Sequence, residues 1–276
     1  MSLRVDPPKS NKLDTEGSST TENFALVTGG AGGFGSAVAK AILLQKKGYQ
    51  VALADINLER VRSVAKSIGA GAHYFQVDVG NEDSVKKLFS GLAGITDRID
   101  VLVSAHGLTA GKTGIQDVPL EEWNSALNTN LTGAFLCMKH VMPLMLKQSS
   151  GCIINLTTGN PARKLTCTYI ASKIGVEGLT TAVAEDVKDS HIGVYAVAPG
   201  GYTSTLFHDN SYQLMHFKNY VSSAELQRQS RGLKPEVIVP LCLHLIEDRT
   251  LGMTGKKIVA LEWNKQNGLG ADVWYA

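Results

Sequence analysis

The sequence predicts a single doubly wound α/β domain, with a seven-stranded and mainly parallel sheet covered by helices on both faces. Short apolar runs alternate with amphipathic stretches from Phe24 to about Leu261. The runs are continuously apolar, which is typical of strands buried on both faces. Strict alternation of strand and helix favours parallel strands joined by crossover helices. A length of 276 residues, with 43% hydrophobic and 19% charged residues, suits one globular domain of this class.

The predicted elements follow one another without an internal repeat. Short runs rich in β-branched and other apolar residues predict strands at 24–28, 50–55, 73–79, 101–105, 152–157, 194–198 and 258–261. Longer stretches with apolar residues at helical spacing predict helices at 35–47, 58–68, 82–92, 120–147, 169–188 and 235–247.

Two segments depart from this alternation. Residues 1–23 are polar, contain Pro7 and Pro8, and are expected to form a flexible N-terminal extension before a single domain at 24–276. Residues 203–233 form an unusually long polar stretch that contains several aromatic and histidine residues. Long loops in compact domains tend to be functional, so this stretch is a candidate substrate lid. The alternative is a pair of surface helices without ligand contacts.

Composition excludes several classes of function. A net charge of +2 gives no reason to propose nucleic acid or a membrane surface as a partner. No apolar run approaches the roughly 20 residues of a membrane span, and the N-terminal stretch lacks the apolar core of a secretory signal. The four cysteines show no metal-ligand spacing, so we expect no metal site and free thiols in a reducing compartment. The expected location is therefore cytoplasmic.

A glycine-rich turn lies between the first predicted strand and the first predicted helix. The segment from Thr28 to Gly35 has five glycines in eight residues. Glycines permit a tight turn and a close backbone approach to a pyrophosphate, which the N-terminus of the following helix then faces. A merely flexible turn is the alternative, but the strand–turn–helix context favours a dinucleotide site in a Rossmann-type domain.

Asp55 ends the second predicted strand, 20 residues after the last glycine of the turn. A carboxylate there accepts hydrogen bonds from ribose hydroxyls and repels a 2′-phosphate. Ile56 and Asn57 follow it, and the turn has no Lys or Arg, so the sequence predicts NAD over NADP. Arg60 and Arg62 lie on the next helix and are expected to face solvent.

Asp78 and Val79 end the third predicted strand. A carboxylate and an apolar side chain at that place can bracket an adenine ring. The alternative is that Asp78 is only a cap or turn residue.

Tyr169 and Lys173 are spaced four residues apart and so share one face of a helix. A lysine ammonium beside a tyrosine favours the phenolate and lowers the phenol pKa from its reference of about 10. The pair can therefore act as a general acid or base near neutral pH.

Together these motifs resemble the short-chain dehydrogenase/reductase family in its single-domain form. The family's T-G-x-x-x-G-x-G turn, its N-x-x-G segment, its Y-x-x-x-K pair and its P-G segment match, in order, Thr28, Gly29, Gly33, Gly35, Asn130, Gly133, Tyr169, Lys173, Pro199 and Gly200. The resemblance implies that residues 24–276 bind a dinucleotide and catalyse a reaction, with Phe34 in the turn and Tyr202 over the nicotinamide among the cofactor contacts.

The loop after the fourth strand departs from the family pattern. The family's N-N-A-G is replaced by Ser104, Ala105, His106 and Gly107. Backbone contacts to the cofactor by Ala105 and Gly107 remain expected, because they need no particular side chain. His106 could be an additional acid or base, but packing or hydrogen bonding is the favoured interpretation.

The family's catalytic serine also has no direct counterpart. The position thirteen residues before Tyr169 is Leu156, and Thr157 and Thr158 follow it. This strand end is similar to the family's I-N-I-S-S with a shortened loop, so the serine's role is assigned to Thr158, with Thr157 as the runner-up. A threonine hydroxyl donates the same hydrogen bond, with a more restricted χ1.

The resemblance implies an NAD-dependent oxidation of a secondary alcohol to a ketone, or the reverse. Tyr169 exchanges the hydroxyl proton, Lys173 also holds the nicotinamide ribose, Thr158 binds the substrate oxygen, and Asn130 anchors a water that relays protons. The substrate could be a sugar, a short secondary alcohol or a ring ketone. A homotetramer is expected, with a dimer as the alternative.

Two other functions remain open at this point. A nucleotide-binding sensor or scaffold could keep the fold after losing activity. An epimerase or dehydratase could use NAD transiently, although about 15 residues after Leu261 are too few for the separate substrate domain of such enzymes.

Overall fold

A computed structural model describes residues 22–109, 114–159, 166–201, 232–247 and 251–270. Seven strands in these stretches form one parallel sheet in the order β3-β2-β1-β4-β5-β6-β7. They are β1 Asn23–Thr28, β2 Tyr49–Asp55, β3 Ala72–Gln76, β4 Val101–Ser104, β5 Gly151–Leu156, β6 Ile192–Ala198 and β7 Lys257–Val259. The predicted fold class is confirmed.

Eight α-helices flank the sheet in the described stretches. They are α1 Gly33–Gln45, α2 Leu58–Ile68, α3 Glu82–Leu92, α4 Leu120–Leu127, α5 Gly133–Gln148, α6 Cys167–Asp186, α7 Val239–Glu247 and α8 Ala260–Gln266. Short 3-10 segments occupy Ile115–Asp117 and Pro235–Ile238, and a π turn occupies Asn128–Thr132. None of the helices described is long and apolar enough to cross a bilayer.

The sheet is buried on both faces, which explains the continuous apolar runs. On β1, Ala25 and Val27 belong to a core cluster with α1 and α7, whereas Phe24 and Leu26 belong to a second cluster with α3 and α5. Successive strand residues point to opposite faces, so a strand covered on both sides has no polar face.

Two predicted strand ends are wrong by more than one residue. The third strand ends at Gln76 and not at Val79. The Asp78 carbonyl accepts from the Asn81 amide at 3.1 Å, and an Asp78 carboxylate oxygen accepts from the Gly80 amide at 3.0 Å. These bonds close a turn before α3. The last strand likewise ends at Val259, because the following residues start α8 and pack into the core.

The predicted helix at 120–147 is interrupted. The π turn separates α4 from α5 and contains Asn130, whose side chain is buried. Such a widened turn leaves a backbone carbonyl outside the helical ladder and is frequent at functional sites. The N-terminal extension up to residue 21, most of the predicted lid (203–231) and Tyr202 lie outside the described residues.

Candidate active site

A cavity of about 480 Å³ lies at the carboxyl ends of β1, β2 and β4. The strand order reverses between β1 and β4, the place where open α/β sheets bind ligands. The cavity is lined by Gly29, Ala31, Gly32, Asp55, Ile56, Arg60, Val77, Asp78, Val79, Ala105, His106, Gly107, Leu108 and Thr129. Six predicted cofactor-binding residues are in this set, namely Gly29, Asp55, Asp78, Val79, Ala105 and Gly107.

The glycine turn packs directly against the loop after β4. Gly29 has φ +67°, and a Cβ there would lie 2.5 Å from the His106 backbone nitrogen. A Cβ on Gly35 would overlap the Gly29 carbonyl oxygen. Both positions therefore require glycine, because only a residue without a Cβ lets backbone pack this closely on backbone. Gly33 and Phe34 open α1, and Phe34 packs against the core without lining the cavity.

The Asp55 carboxylate braces the glycine turn. One oxygen accepts from the Ala31 amide at 3.0 Å, and the other accepts from the Asn57 amide at 3.1 Å. Asp55 therefore faces the cavity in a fixed orientation, with lone pairs left for a ribose hydroxyl.

Arg60 differs from its prediction. It is exposed, as expected, but it also lines the cavity from the first turn of α2. Arg62 instead lies 5.9 Å from the centre of the Tyr74 ring, a cation–π arrangement. The guanidinium of Arg60 is thus a cation at the wall of the cavity that also contains Asp55.

Asp78 has the turn role that was one of its two predicted interpretations, and it also lines the cavity. Its carboxylate holds the turn through the Gly80 amide, and its side of the cavity also includes Val77 and Val79.

His106 joins the β1 and β4 loops. Its Nδ1 lies 2.6 Å from the Thr28 hydroxyl oxygen, and both residues are buried. Burial, with a smaller contribution from nearby Lys173, lowers the pKa of His106 to about 3. The imidazole is therefore neutral at physiological pH and holds a hydrogen bond, as the favoured interpretation of the sequence expected.

Tyr169 and Lys173 lie on the unbroken helix α6, with Tyr169 half-buried and Lys173 buried. The Lys173 Nζ donates to the Leu156 carbonyl at 2.9 Å and to the His106 carbonyl at 3.3 Å. Burial lowers the pKa of Lys173 to about 8, because an ammonium is less stable away from water. With this pKa the lysine is still mainly charged at neutral pH, and its hydrogen bonds hold it beside the loop that borders the cavity.

The side chain of Asn130 joins the loop after β4 to α6. Its Oδ1 accepts from the Leu108 amide at 2.7 Å. Its Nδ2 donates to the Leu108 carbonyl at 2.9 Å and to the Ser172 hydroxyl at 2.8 Å. Ser172 in turn donates to the Tyr169 carbonyl at 2.7 Å. Both Nδ2 donors of Asn130 and one lone pair of its Oδ1 are therefore engaged by the protein, and its backbone lies in the π turn.

The two threonines after β5 face different surroundings. The Thr157 hydroxyl lies against α6, 3.0 Å from the Lys173 carbonyl and 2.6 Å from the Glu177 carboxylate. Thr158 is also buried, at 5% exposure, one residue further along the chain. Because Thr157 already bonds to α6, its hydroxyl is directed to the helix.

Pro199 and Gly200 follow β6 beside the end of β5. The Pro199 carbonyl accepts from the Leu261 amide at 3.2 Å. Gly200 has φ +101°, and a Cβ there would lie 2.7 Å from the Leu261 Cβ. This close packing holds Gly200 against the start of α8.

Sequence reasoning missed several cavity residues. Ile56, Leu108 and Thr129 are each adjacent in sequence to a predicted site residue, so adjacency was an available signal. Glu177 was also missed, although its spacing of four from Lys173 places it on the same helix face.

Known proteins share the sequence pattern and the fold of this chain. The family model described as short chain dehydrogenase matches residues 23–214. A 3-oxoacyl-[acyl-carrier-protein] reductase from Synechocystis sp. is 39% identical over 187 residues, which cover 65% of this chain and 74% of that protein. Cis-4-hydroxycyclohexanecarboxylate dehydrogenase from Sinomonas cyclohexanicum is 34% identical, covering 67% and 75%. A crystal structure of actinorhodin polyketide ketoreductase with NADPH superposes with a TM-score of 0.78 at 26% identity, covering 86% and 95%.

Proposed function

Because the chain belongs to the short-chain dehydrogenase family, we propose that it is an NAD-dependent oxidoreductase that interconverts a secondary alcohol and a ketone. The observation that supports this most is Lys173, a buried ammonium one helical turn from Tyr169 and beside the cavity loop. A buried cation next to a phenol is the arrangement that general acid–base catalysis by tyrosine requires.

The cavity residues fit a dinucleotide. Gly29 of the glycine turn and Gly32, the N-cap of α1, line the cavity, so backbone amides at the start of this helix are available to a pyrophosphate. Asp55 and Asp78 would contact the adenosine, while Ala105 and Gly107 would contact the ribose and pyrophosphate through backbone. A bound nicotinamide supplies the hydride acceptor or donor.

Proton transfer and binding of the substrate oxygen are assigned to side chains at the nicotinamide end of the site. Tyr169 takes the proton from the alcohol during oxidation and returns it during reduction. Lys173 favours the phenolate and holds the nicotinamide ribose. Thr158 donates a hydrogen bond to the substrate oxygen, where negative charge develops. Since the Asn130 amide is already engaged, its backbone carbonyl in the π turn would hold the water that relays protons to Lys173.

The proposed preference for NAD depends on Asp55. Its carboxylate is fixed at the edge of the cavity and would repel a 2′-phosphate. Arg60 is the competing feature, because a guanidinium lining the same cavity would attract that phosphate. The similar ketoreductase was crystallised with NADPH, which makes this competition worth measuring. Steady-state rates with both cofactors decide it, and a preference for NADP would contradict the proposal.

A substrate screen tests the proposed reaction. We suggest following NADH formation with polyols, hydroxysteroids and cyclic hydroxy acids, and NADH consumption with 3-oxoacyl thioesters. The last two classes are chosen because similar proteins are named for them. Turnover of a secondary alcohol or ketone is expected, and nucleotide binding without any turnover would favour the sensor or scaffold function.

We also propose a homotetramer, with a dimer as the alternative. Phe135 and Leu146 on α5 and Ile174 on α6 are apolar and 39–46% exposed. Exposed apolar residues on neighbouring helices favour association. Light scattering at micromolar concentration tests this, and a monomeric mass would contradict it. A cytoplasmic location stays a prediction that cell fractionation can check.

A further inference from the structure

Glu177 connects the helix that holds Lys173 to two strands of the sheet. It follows Lys173 by one helical turn on α6. Its Oε1 accepts from the Thr157 hydroxyl at 2.6 Å, just beyond β5, and from the Lys257 Nζ at 2.9 Å, on β7. We call these three residues, Thr157, Glu177 and Lys257, the Glu177 clamp.

The clamp is partly shielded from water. Thr157 is 4% exposed, and the side chains of Glu177 and Lys257 are 19% and 26% exposed. A hydrogen bond from a hydroxyl to a carboxylate is shorter and stronger than one between neutral groups. Lys257 compensates the carboxylate, which makes its partial burial less costly.

The position of the clamp matters because two residues at the end of β5 contact Lys173. The Leu156 carbonyl accepts from the Lys173 Nζ at 2.9 Å. The hydroxyl of the next residue, Thr157, lies 3.0 Å from the Lys173 carbonyl and 2.6 Å from the Glu177 carboxylate, and these two acceptors share its single proton. Glu177 fixes that same hydroxyl, so it restrains both the end of β5 and the height of α6 above the sheet. Thr158, the proposed substrate contact, is the following residue.

We propose that Glu177 is a positioning residue, which acts through Thr157 and Lys257 to hold Lys173 at the nicotinamide end of the site. This inference rests on the proposed function, since it assigns Glu177 to the same acid–base machinery. This role distinguishes the clamp from surface ion pairs of the protein, such as the pair between Glu185 and Lys188.

Four variants test the clamp. Glu177→Leu removes both contacts at similar volume, and Thr157→Val removes only the hydroxyl. Glu177→Gln and Thr157→Ser are conservative, because each keeps a group that can form the bond between positions 157 and 177. Glu185→Gln is the matched control on the same helix, where an exposed pair is expected to contribute little.

We expect Glu177→Leu and Thr157→Val each to lower kcat about tenfold, because a small misplacement of a catalytic group is costly. The double variant should be no worse than the poorer single one, since both remove the same contact. Each conservative variant should recover at least about a third of kcat, and Glu185→Gln should match the wild type. If Glu177→Leu lowers only the melting temperature and leaves kcat unchanged, the inference is wrong.

A binding measurement keeps the test independent of turnover. In calorimetry, Glu177→Leu should weaken the binding of NADH about threefold, because Lys173 would hold the nicotinamide ribose. The binding of AMP should stay unchanged, because AMP reaches only the adenosine end. Equal effects on NADH and AMP, or none on either, would overturn the inference. If the wild type turned over no substrate, the proposed function would fail, and this comparison would still decide the role of Glu177.

Discussion

The proposed adenosine end of the site presents mainly the backbone of the glycine turn, whereas the proposed acid–base end presents buried side chains. At the first end, Gly29 and Gly35 allow the turn to pack on the loop after β4, and the Asp55 carboxylate is held by two amides. At the second end, Lys173 and Asn130 are buried and are held by carbonyls, an amide and a hydroxyl.

This difference determines which substitutions should disrupt each end. A site built from backbone fails when a side chain is added, because the added atoms have no room. A site built from buried polar groups fails when one partner is removed, because the other is left unsatisfied. The two ends should therefore respond to opposite kinds of substitution.

The largest effect is expected from Gly29→Ala. The added Cβ would clash with the β4 loop at a positive φ, so we expect NADH binding to fall below detection. Calorimetry with NADH measures this. Gly178→Ala on α6 is the control, since a Cβ there meets nothing within 4 Å and alanine suits a helix. Wild-type affinity in Gly29→Ala would show that the turn does not form the cofactor cradle.

At the acid–base end, Thr158→Ala should lower kcat about 10²-fold or more, because it removes a donor to the substrate oxygen. Thr157→Ala should cost less, since that hydroxyl bonds to α6. Steady-state kinetics of the two variants make the comparison. If only Thr157→Ala abolished turnover, the assignment of the serine's role to Thr158 would be wrong.

A smaller effect is expected at the edge of the adenosine end. Arg60→Gln should weaken NADPH binding about tenfold and leave NADH binding nearly unchanged, since only NADPH carries a 2′-phosphate near this cation. Arg62→Gln, whose guanidinium lies over Tyr74, should leave both affinities unchanged. Equal losses for both cofactors in Arg60→Gln would mean that Arg60 does not select between them.

The last prediction concerns stability rather than binding or turnover. The Lys173 pKa is about 8 in the folded protein and near 10.5 in the unfolded chain, so unfolding takes up a proton between these values. The unfolding free energy of the wild type, relative to Lys173→Met, should therefore rise from pH 8 to pH 10.5. Urea unfolding of both proteins across this range measures it, and a constant difference would mean that burial does not shift this pKa.

The two ends also differ in how far the sequence could predict them. Alternation of apolar runs, the glycine turn and Asp55 are local patterns. Together with the family resemblance, they predicted the sheet and six of the residues that line the cavity. The end of β3 and the π turn at Asn130 depend on hydrogen bonds such as those to Gly80 and Leu108, which local propensity does not encode.

Long-range contacts account for the remaining differences. Arg60 follows an amphipathic pattern that indicates an exposed helix face, but not that this face borders the cavity. Glu177 shares a helix face with Lys173, yet its partner Lys257 is 80 residues further along the chain. Only the fold brings these groups together, so their proximity could not be predicted from local sequence patterns.

Tyr169→Phe tests the central claim most directly, because it removes one hydroxyl and leaves the cofactor cradle intact. NADH affinity and turnover should be measured on the same preparation. We expect the affinity to stay within about twofold and kcat to fall about 10²- to 10⁴-fold, the range of general acid–base catalysis. Turnover close to the wild-type rate would show that Tyr169 is not the general acid or base.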